Sequence, residues 1–290
     1  MSRIVPKGAT LDQIATGFRF TEGPLWTGDR LLFVDMPNNR ILTWTPSAAG
    51  GTVETFRQPS NLSNGLTFDR QHRLIACEGV ARRLTRTEPD GSTTTLVDRY
   101  EGKRLNSPND VIVASNGTIY FSDPWWAHNH AKRHDMGIPI EEQELSFQGV
   151  FRLATDGTLT AEATDFSFPN GLALSPDERV LYVADSRHAH MRAFDLQSDG
   201  SLANDRVFAV LEAPEEGAPD GMKVDREGNV YCTGAGGVWV VAPSGTILGR
   251  IRTPEVPANL AWGDADWQSL YITARTSVYR IRLSIPGIPV

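Results

Sequence analysis

The chain has 290 residues, a formal net charge of −7 at pH 7 and a pI near 5.4. This acidic balance argues against a nucleic-acid or anionic-membrane partner, and no apolar run is long enough for a signal peptide or a membrane span. Hydrophobic residues make up 40% and charged residues 22%, as is typical of a globular protein with a full core. The two cysteines, Cys77 and Cys232, each lie in a strand-like run. We therefore expect two buried free thiols and a cytoplasmic location.

The first strand-like segment in the chain is Thr10–Phe18, and after it one pattern recurs six times. Each copy has a polar residue, a short apolar strand, a turn rich in Gly, Asp or Asn, and a second strand. In chain order the copies are Thr21–Asp35, Ser63–Glu78, Ser107–Asp123, Phe168–Asp185, Pro219–Gly234 and Pro257–Ala274. Their polar residues, which we call the anchors, are Glu22, Asn64, Asn109, Asn170, Asp220 and Asn259.

This repeat predicts an all-β fold, a six-bladed β-propeller that forms a single domain over residues 1–290. The anchors are 39 to 61 residues apart, close to the roughly 40–45 residues of a four-stranded blade. The sixth sheet would lack a strand, so we expect Thr10–Phe18 to complete it and to close the ring. The longest interval contains residues 124–148, which break the strand pattern and are predicted to form a lid over one face.

The first strand of every propeller blade lines the central channel, so the anchors are predicted to form a ring at one mouth. A single Asn or Asp before a strand can be an ordinary turn residue, but glutamate at Glu22 is a weak turn former. A ring of carboxylates and carboxamides without a cation would leave charge unpaired in a narrow channel. Oxygen donors suit a hard cation rather than zinc, which favours sulfur and imidazole. The sequence thus predicts one divalent metal, Ca²⁺ by preference, with Mg²⁺, Mn²⁺ or Zn²⁺ as substitutes in vitro.

Sequence motifs typical of one protein family run from residue 21 to residue 283, among them TEGPLW, KRLNSPNDV, FPNGLALSPDERVLYVAD and APDGMKVDREGNVYCTG. On these segments the chain resembles the gluconolactonase branch of the senescence marker protein/gluconolactonase/luciferin-regenerating family. The resemblance implies a six-bladed propeller that hydrolyses a sugar lactone to its hydroxy acid with a catalytic divalent metal. It also implies that the metal ligands are Glu22, Asn109, Asn170 and Asp220, which are four of the six anchors.

The resemblance gives the role of general base to Asp220, and Asp123 is the second candidate. The other two anchors, Asn64 and Asn259, would either hold substrate hydroxyls or orient the ligands. Further candidates for substrate contact are Arg104, Asn106, Trp125 and Trp126. The two tryptophans could offer stacking faces to a sugar ring or to a more apolar lactone.

Two other functions remain open. A metal-dependent esterase or phosphotriesterase-like hydrolase of more apolar or aromatic lactones and esters would use the same anchors. A non-catalytic propeller that binds a protein partner would have no use for an oxygen ring. The histidines of the lid (His128, His130 and His134) and of the loop after Asp185 (His188 and His190) have spacings that fit no standard metal site, and we expect them to be solvated. The identity of the lactone, the metal used in the cell and the oligomeric state stay open.

Overall fold

The computed structural model describes residues 1–48, 50–127 and 138–289. Over these residues the strands form six four-stranded antiparallel sheets, the blades, and one short two-stranded sheet. The first strand, β1 (Leu11–Thr16), belongs to blade 6. Within blades 1 to 5 the strands follow chain order from the inside outwards.

Blade 1 contains β2 (Thr21–Trp26), β3 (Leu31–Asp35), a 3-10 helix (Met36–Asn38), β4 (Arg40–Thr45) and β5 (Thr52–Arg57). Blade 2 contains β6 (Ser63–Phe68), β7 (Leu74–Glu78), β8 (Arg83–Thr87) and β9 (Thr93–Val97). The two-stranded sheet that follows is β10 (Arg99–Tyr100) and β11 (Lys103–Arg104). Blade 3 contains β12 (Val111–Val113), β13 (Ile119–Asp123), β14 (Gly149–Leu153) and β15 (Leu159–Ala163).

Blade 4 contains β16 (Pro169–Leu174), β17 (Val180–Asp185), β18 (His190–Leu196) and β19 (Leu202–Val210). Blade 5 contains β20 (Met222–Val224), β21 (Val230–Gly234), β22 (Gly237–Val241) and β23 (Ile247–Ile251). Blade 6 contains β24 (Pro257–Gly263), β25 (Ser269–Ala274), β26 (Ser277–Arg282) and, outermost, β1. The six-bladed propeller predicted from the repeat is confirmed.

The inner strands form a closed circle around the channel. Each of β2, β6, β12, β16, β20 and β24 contacts the inner strand of the blade before it and of the blade after it, and β24 contacts β2 to complete the circle. Because both of its faces meet a neighbouring blade, an inner strand such as β24 is buried at every residue, whereas the outer strand β5 is mostly exposed. Apolar clusters fill the spaces between adjacent blades, so the core is a ring of interfaces.

Strand β1 closes the propeller as the sequence predicts. It pairs antiparallel with β26, with Leu11 opposite Ile281. Further towards the N-terminus, Ile4 is buried in the apolar cluster between blades 5 and 6, and its carbonyl accepts a 2.8 Å hydrogen bond from the Ser284 N–H. The start of the chain is therefore part of the packed structure, because it supplies both a strand and a core side chain to the last blade.

Both cysteine thiols, at Cys77 and Cys232, are free and buried, as expected from their positions in strands. At the end of the channel opposite the anchors, the inner strands surround a cavity of about 150 Å³ that Ile288 and Pro289 also line. Within the described ranges, the protein has no helix of the length and apolar character that crossing a membrane requires.

Candidate metal centre

Bulges at the mouth of the channel interrupt the ladder between the first and second strands of several blades. In blade 1 the register shifts between Glu22 and Leu25, and in blade 4 between Pro169 and Leu172, on either side of Asn170. Blades 2 and 6 have shifts at the matching place. A bulge bends a strand and re-aims its side chains. The inner strands thus leave regular pairing at the anchors, where the side chains must face the channel.

The structure brings the anchors together in one ring. The Asn64 amide donates a 2.7 Å hydrogen bond to Oδ1 of Asn109, and the Asn259 amide donates a 3.1 Å bond to Oε2 of Glu22. Asp220 is partly exposed, whereas the other five anchors are buried. Residues far apart in sequence, such as Glu22 and Asn259, therefore share one polar centre.

Glycines set how closely neighbouring anchors approach each other. Four anchors are followed directly by glycine, at Gly23, Gly65, Gly171 and Gly221. A Cβ atom at any of these four positions would lie between 2.0 and 2.7 Å from the next blade's anchor, nearer than real Cβ contacts come. At Gly171, for example, it would lie 2.3 Å from the backbone oxygen of Asp220. At these four positions the narrow ring therefore requires glycine.

One buried residue of the centre, Asp110, was missed by the sequence analysis. It follows the anchor of blade 3, at the position where four other blades have glycine. Aspartate in place of glycine there is the sequence feature that could have indicated its role. Its Oδ1 accepts a 2.9 Å hydrogen bond from the Val111 N–H, and its Oδ2 has no hydrogen-bond partner among the described residues. Burial raises the pKa of Asp110, and the nearby positive charge of Lys223 opposes that rise. A second carboxylate thus lies buried beside Glu22.

The electrostatics of the ring favour a bound cation. Burial raises the pKa of Glu22 to about 7; the hydrogen bond from the Gly23 N–H opposes that rise, and the charge of Asp110 adds to it. Lys223 is the positive group that lowers the pKa of both carboxyls. Among the described residues, the carboxylates of Glu22 and Asp110 thus share the one ammonium group of Lys223. Asp220 adds a third carboxylate to the ring, so a divalent cation would reduce its negative charge.

The donor atoms also fit a hard divalent cation. The ring offers carboxylate and amide oxygens, the ligands that calcium takes. The side-chain oxygen Oδ1 of Asn64 is buried without a partner among the described residues, as is Oδ2 of Asp110, and buried polar atoms are rarely left unpaired. In blade 4 the Asn170 amide nitrogen donates a 3.0 Å bond to Oγ of Ser186, so the oxygen of that amide is the atom available to a metal. The residues present therefore suit the group that the resemblance implies.

Asp123, the second candidate for the general base, is committed to the backbone. It is fully buried, and its two oxygens accept hydrogen bonds from the N–H groups of Asn106 (2.7 Å) and Ser107 (2.8 Å). Asp35 and Asp185 end the equivalent strands of blades 1 and 4, and each also binds two successive backbone N–H groups that precede its own inner strand. These acids fasten the entry of the chain into each blade, and the catalytic role given to Asp123 stays a prediction.

Arg104 and Asn106 also make structural contacts. Asn106 is fully buried, and its amide donates to the carbonyls of Asp123 and Phe147 at 3.0 and 2.9 Å. The Arg104 guanidinium donates a 2.9 Å bond to Glu141 in the lid. These bonds hold both side chains in place, and their contact with substrate stays a prediction.

The described parts of the lid are residues 124–127 and 138–148, and His128, His130 and His134 lie outside them. Both lid tryptophans are partly buried. Trp126 packs on Gly79, where a Cβ would lie only 2.3 Å from its ring, and its indole nitrogen is buried without a hydrogen-bond partner among the described residues. The guanidinium of the buried Arg82 stacks over the Trp125 ring, 5.1 Å from the ring centroid. Trp126 thus covers blade 2, and one face of Trp125 is already occupied.

Comparison with known proteins agrees with this architecture. The SMP-30/gluconolactonase/LRE-like region matches residues 20–276. The chain is 33% identical to a gluconolactonase of Zymomonas mobilis, over 99% of this chain and 85% of that protein. It is 30% identical to a pentonolactonase of Haloferax volcanii, over 90% and 83% of the two proteins. A solved gluconolactonase structure from Xanthomonas campestris superposes with a TM-score of 0.87 at 36% identity, covering 97% of this chain and 91% of the other. The chain therefore belongs to the SMP-30/gluconolactonase/LRE-like family.

Proposed function

We propose that this protein hydrolyses a sugar lactone to the corresponding hydroxy acid with the help of one divalent cation, Ca²⁺ by preference. The observation that carries the proposal is the buried ring of oxygen donors, in which the carboxylates of Glu22 and Asp110 lie together and Lys223 supplies one opposing positive charge. Relatives named gluconolactonase and pentonolactonase support the substrate class.

Glu22, Asn109, Asn170 and Asp220 would hold the cation. When bound, it would supply Lewis-acid polarisation of the lactone carbonyl, an effect worth several kcal/mol. The carboxylates of Glu22 and Asp220 match its two positive charges, and Lys223 balances Asp110. An oxygen-only ligand set with net charge near zero after binding is the reason for preferring calcium over zinc.

Asp220 is the general base in this proposal. It is the one anchor that is partly exposed, so water can reach it from the mouth. A carboxylate that accepts the proton of an attacking water contributes about 10²- to 10⁴-fold to the rate. The proton then passes to the alkoxide that leaves when the ester bond of the ring opens, which yields the hydroxy acid.

Asn64 and Asn259 act as positioning residues in this proposal. Each donates its amide N–H to a metal ligand, Asn64 to Asn109 and Asn259 to Glu22. Such hydrogen bonds orient ligand oxygens, and removing one typically weakens metal binding or activity about 10- to 100-fold. This role replaces the substrate contact that the sequence analysis left open for both residues.

Three further predictions belong to the proposal. We keep residues 1–290 as one domain, because the N-terminal strand lies in the last blade. We keep the cytoplasm as the location, supported by the two buried free thiols. The partner is a small-molecule lactone, without a nucleic-acid or membrane surface.

The decisive experiment is a pH-indicator assay on chelator-stripped protein to which Ca²⁺, Mg²⁺, Mn²⁺ or Zn²⁺ is returned. The substrates are six- and five-membered sugar lactones, aliphatic and aromatic lactones, and a phosphotriester. We expect restored hydrolysis of a sugar lactone, and a loss of at least about 100-fold in Asp220→Asn. Glu54→Gln, on the exposed outer strand of blade 1, is the control acid and should behave like wild type. Turnover of the phosphotriester alone, or full activity after stripping, would overturn the proposal.

A further inference from the structure

Blade 4 brings one acid and two histidines together beside the mouth, outside the anchor ring. Asp185 ends β17, His190 begins β18, and the two residues are paired directly opposite each other in the ladder. Directly opposite residues of an antiparallel pair place their side chains on the same face, with Cβ atoms about 4.5–5.5 Å apart. His188, in the turn between the strands, places Nδ1 3.0 Å from Oδ2 of Asp185. The three side chains each offer a ligand atom, and all these atoms lie within 4.8 Å of one another.

The same position in two other blades shows what is different in blade 4. Asp35 of blade 1 is paired with Arg40, and Glu78 of blade 2 is paired with Arg83. In both blades the arginine neutralises the acid through a 2.8 Å contact. Blade 4 has His190 in place of the arginine. A fixed positive charge is therefore replaced by an imidazole, which is neutral in its metal-binding form.

His190 has an unmet bonding requirement. Its Nε2 atom is buried and has no hydrogen-bond partner among the described residues. Leaving a buried polar atom of this kind unpaired is unfavourable. Burial lowers the pKa of His190, which favours the neutral ring at neutral pH. The His188 and His190 rings lie 5.4 Å apart between centroids, and the His188 side chain is 56% exposed, so it can move towards a shared ion.

We propose that Asp185, His188 and His190 form a second metal site, selective for Zn²⁺ or a similar borderline divalent ion rather than for Ca²⁺. Two imidazoles and one carboxylate are a ligand set that zinc takes, with bonds of about 2.0–2.2 Å. Ligand atoms of a tetrahedral zinc site are then roughly 3.3 Å apart. The 3.0 Å distance between Oδ2 of Asp185 and Nδ1 of His188 is close to that value. The exposed face leaves a fourth position for water or for a ligand.

This second site lies beside the proposed catalytic centre but does not share a residue with it. Ser186, the residue after Asp185, accepts the hydrogen bond of the Asn170 amide at 3.0 Å. Asp185 also binds the N–H groups of Ser167 and Phe168. A metal here would stiffen the turn from Asp185 to His190. Because Asp185 has this separate structural duty, the histidines are the informative residues to change.

The test uses the full chain saturated with Ca²⁺. Because the lid histidines could bind metal themselves, the parent variant carries His128→Gln, His130→Gln and His134→Gln. Zn²⁺ is titrated by calorimetry, and Co²⁺ is titrated by visible absorption to report a tetrahedral site. We expect one Zn²⁺ per chain that excess Ca²⁺ does not displace, and a rise in melting temperature on binding.

Changing His188→Ala or His190→Ala in this parent should weaken Zn²⁺ binding by at least about tenfold and abolish the thermal shift. The exposed His72 is the matched control, and His72→Ala should leave the Zn²⁺ affinity unchanged. The same two variants in the wild-type chain, each expected to lose one Zn²⁺ equivalent, cover the case that the parent folds poorly. Unchanged Zn²⁺ affinity in His190→Ala, or no Zn²⁺ binding by a folded parent, would overturn the proposal. Both readouts are independent of lactone hydrolysis.

Discussion

The spacing of the anchor ring can be tested by adding a single methyl group at Gly171. Its ideal Cβ would lie 2.3 Å from the backbone oxygen of Asp220 and 2.6 Å from the Cα of Gly221, whereas ordinary contact begins near 3.4 Å. Both obstructing atoms belong to the backbone of blade 5, so no side chain can rotate away. Gly171→Ala must therefore push the inner strands of blades 4 and 5 apart by roughly 1 Å.

The size of the effect follows from this overlap. Overpacking in a well-packed region typically costs about 1–3 kcal/mol, and we expect the upper end because only backbone can yield. With an unfolding entropy of about 2.1 cal/mol/K per residue, a loss of about 3 kcal/mol lowers the melting temperature of a chain of this length by roughly 5 °C. Calcium–oxygen bonds lie within about 2.3–2.6 Å, so moving Asp220 relative to Asn170 should also weaken Ca²⁺ binding by at least about tenfold.

Calorimetry with and without Ca²⁺ measures both effects. The control is Gly157→Ala. A Cβ at Gly157 would meet no other atom within 4 Å, so the substitution adds only the backbone strain of a positive φ of 89°. That strain should cost about 1–2 kcal/mol and leave the Ca²⁺ affinity unchanged. If Gly171→Ala melts like wild type and binds Ca²⁺ equally well, the idea that glycine sets the ring spacing is refuted.

Three more outcomes are expected. Glu22→Gln should weaken Ca²⁺ binding and lower kcat/KM for the sugar lactone, because it removes a ligand charge; retention of both in isothermal titration and kinetics would contradict the ring argument. Deleting residues 1–18 should lower the melting temperature of the whole fold, since it removes β1 and the buried Ile4, and truncation of Ile4 to alanine alone should cost about 2–5 kcal/mol. Equal melting curves would speak against closure by the N-terminal strand. Trp126→Ala should change the ratios of kcat/KM among lactones without changing Ca²⁺ affinity, while a uniform fall across the panel would indicate lost stability instead.

The fold could be predicted because the propeller repeats one local pattern. The turn residues and the alternating strands of each copy are local sequence features. The recurrence of Asn64-Gly65 and Asn170-Gly171 indicates which end of each inner strand lies at the channel mouth. The closing role of the N-terminal strand followed from counting strands in the last sheet. Convergence of the anchors then followed from the symmetry of the fold.

Other features depend on contacts that no local pattern records. The position of Asp123 at a strand end predicts a carboxylate at the channel mouth. The structure adds that two N–H groups of the chain entering blade 3 donate to it. Arg104 donates a hydrogen bond to Glu141, which lies 37 residues later in the lid. The pairing of Asp185 with His190 depends on the register of one ladder, which the spacing of histidines in the sequence does not reveal.

The ring closure described for β1 also has a kinetic consequence. Leu11 pairs with Ile281, so the last blade joins the two ends of the chain. During synthesis β1 leaves the ribosome first, yet its partner β26 is among the last segments to be made. Contacts of such long sequence separation form slowly, and an unpaired strand edge exposed in the meantime is prone to aggregate. The yield of folded protein should therefore depend on whether β1 avoids pairing with strands other than β26, in this chain or in others, until translation ends.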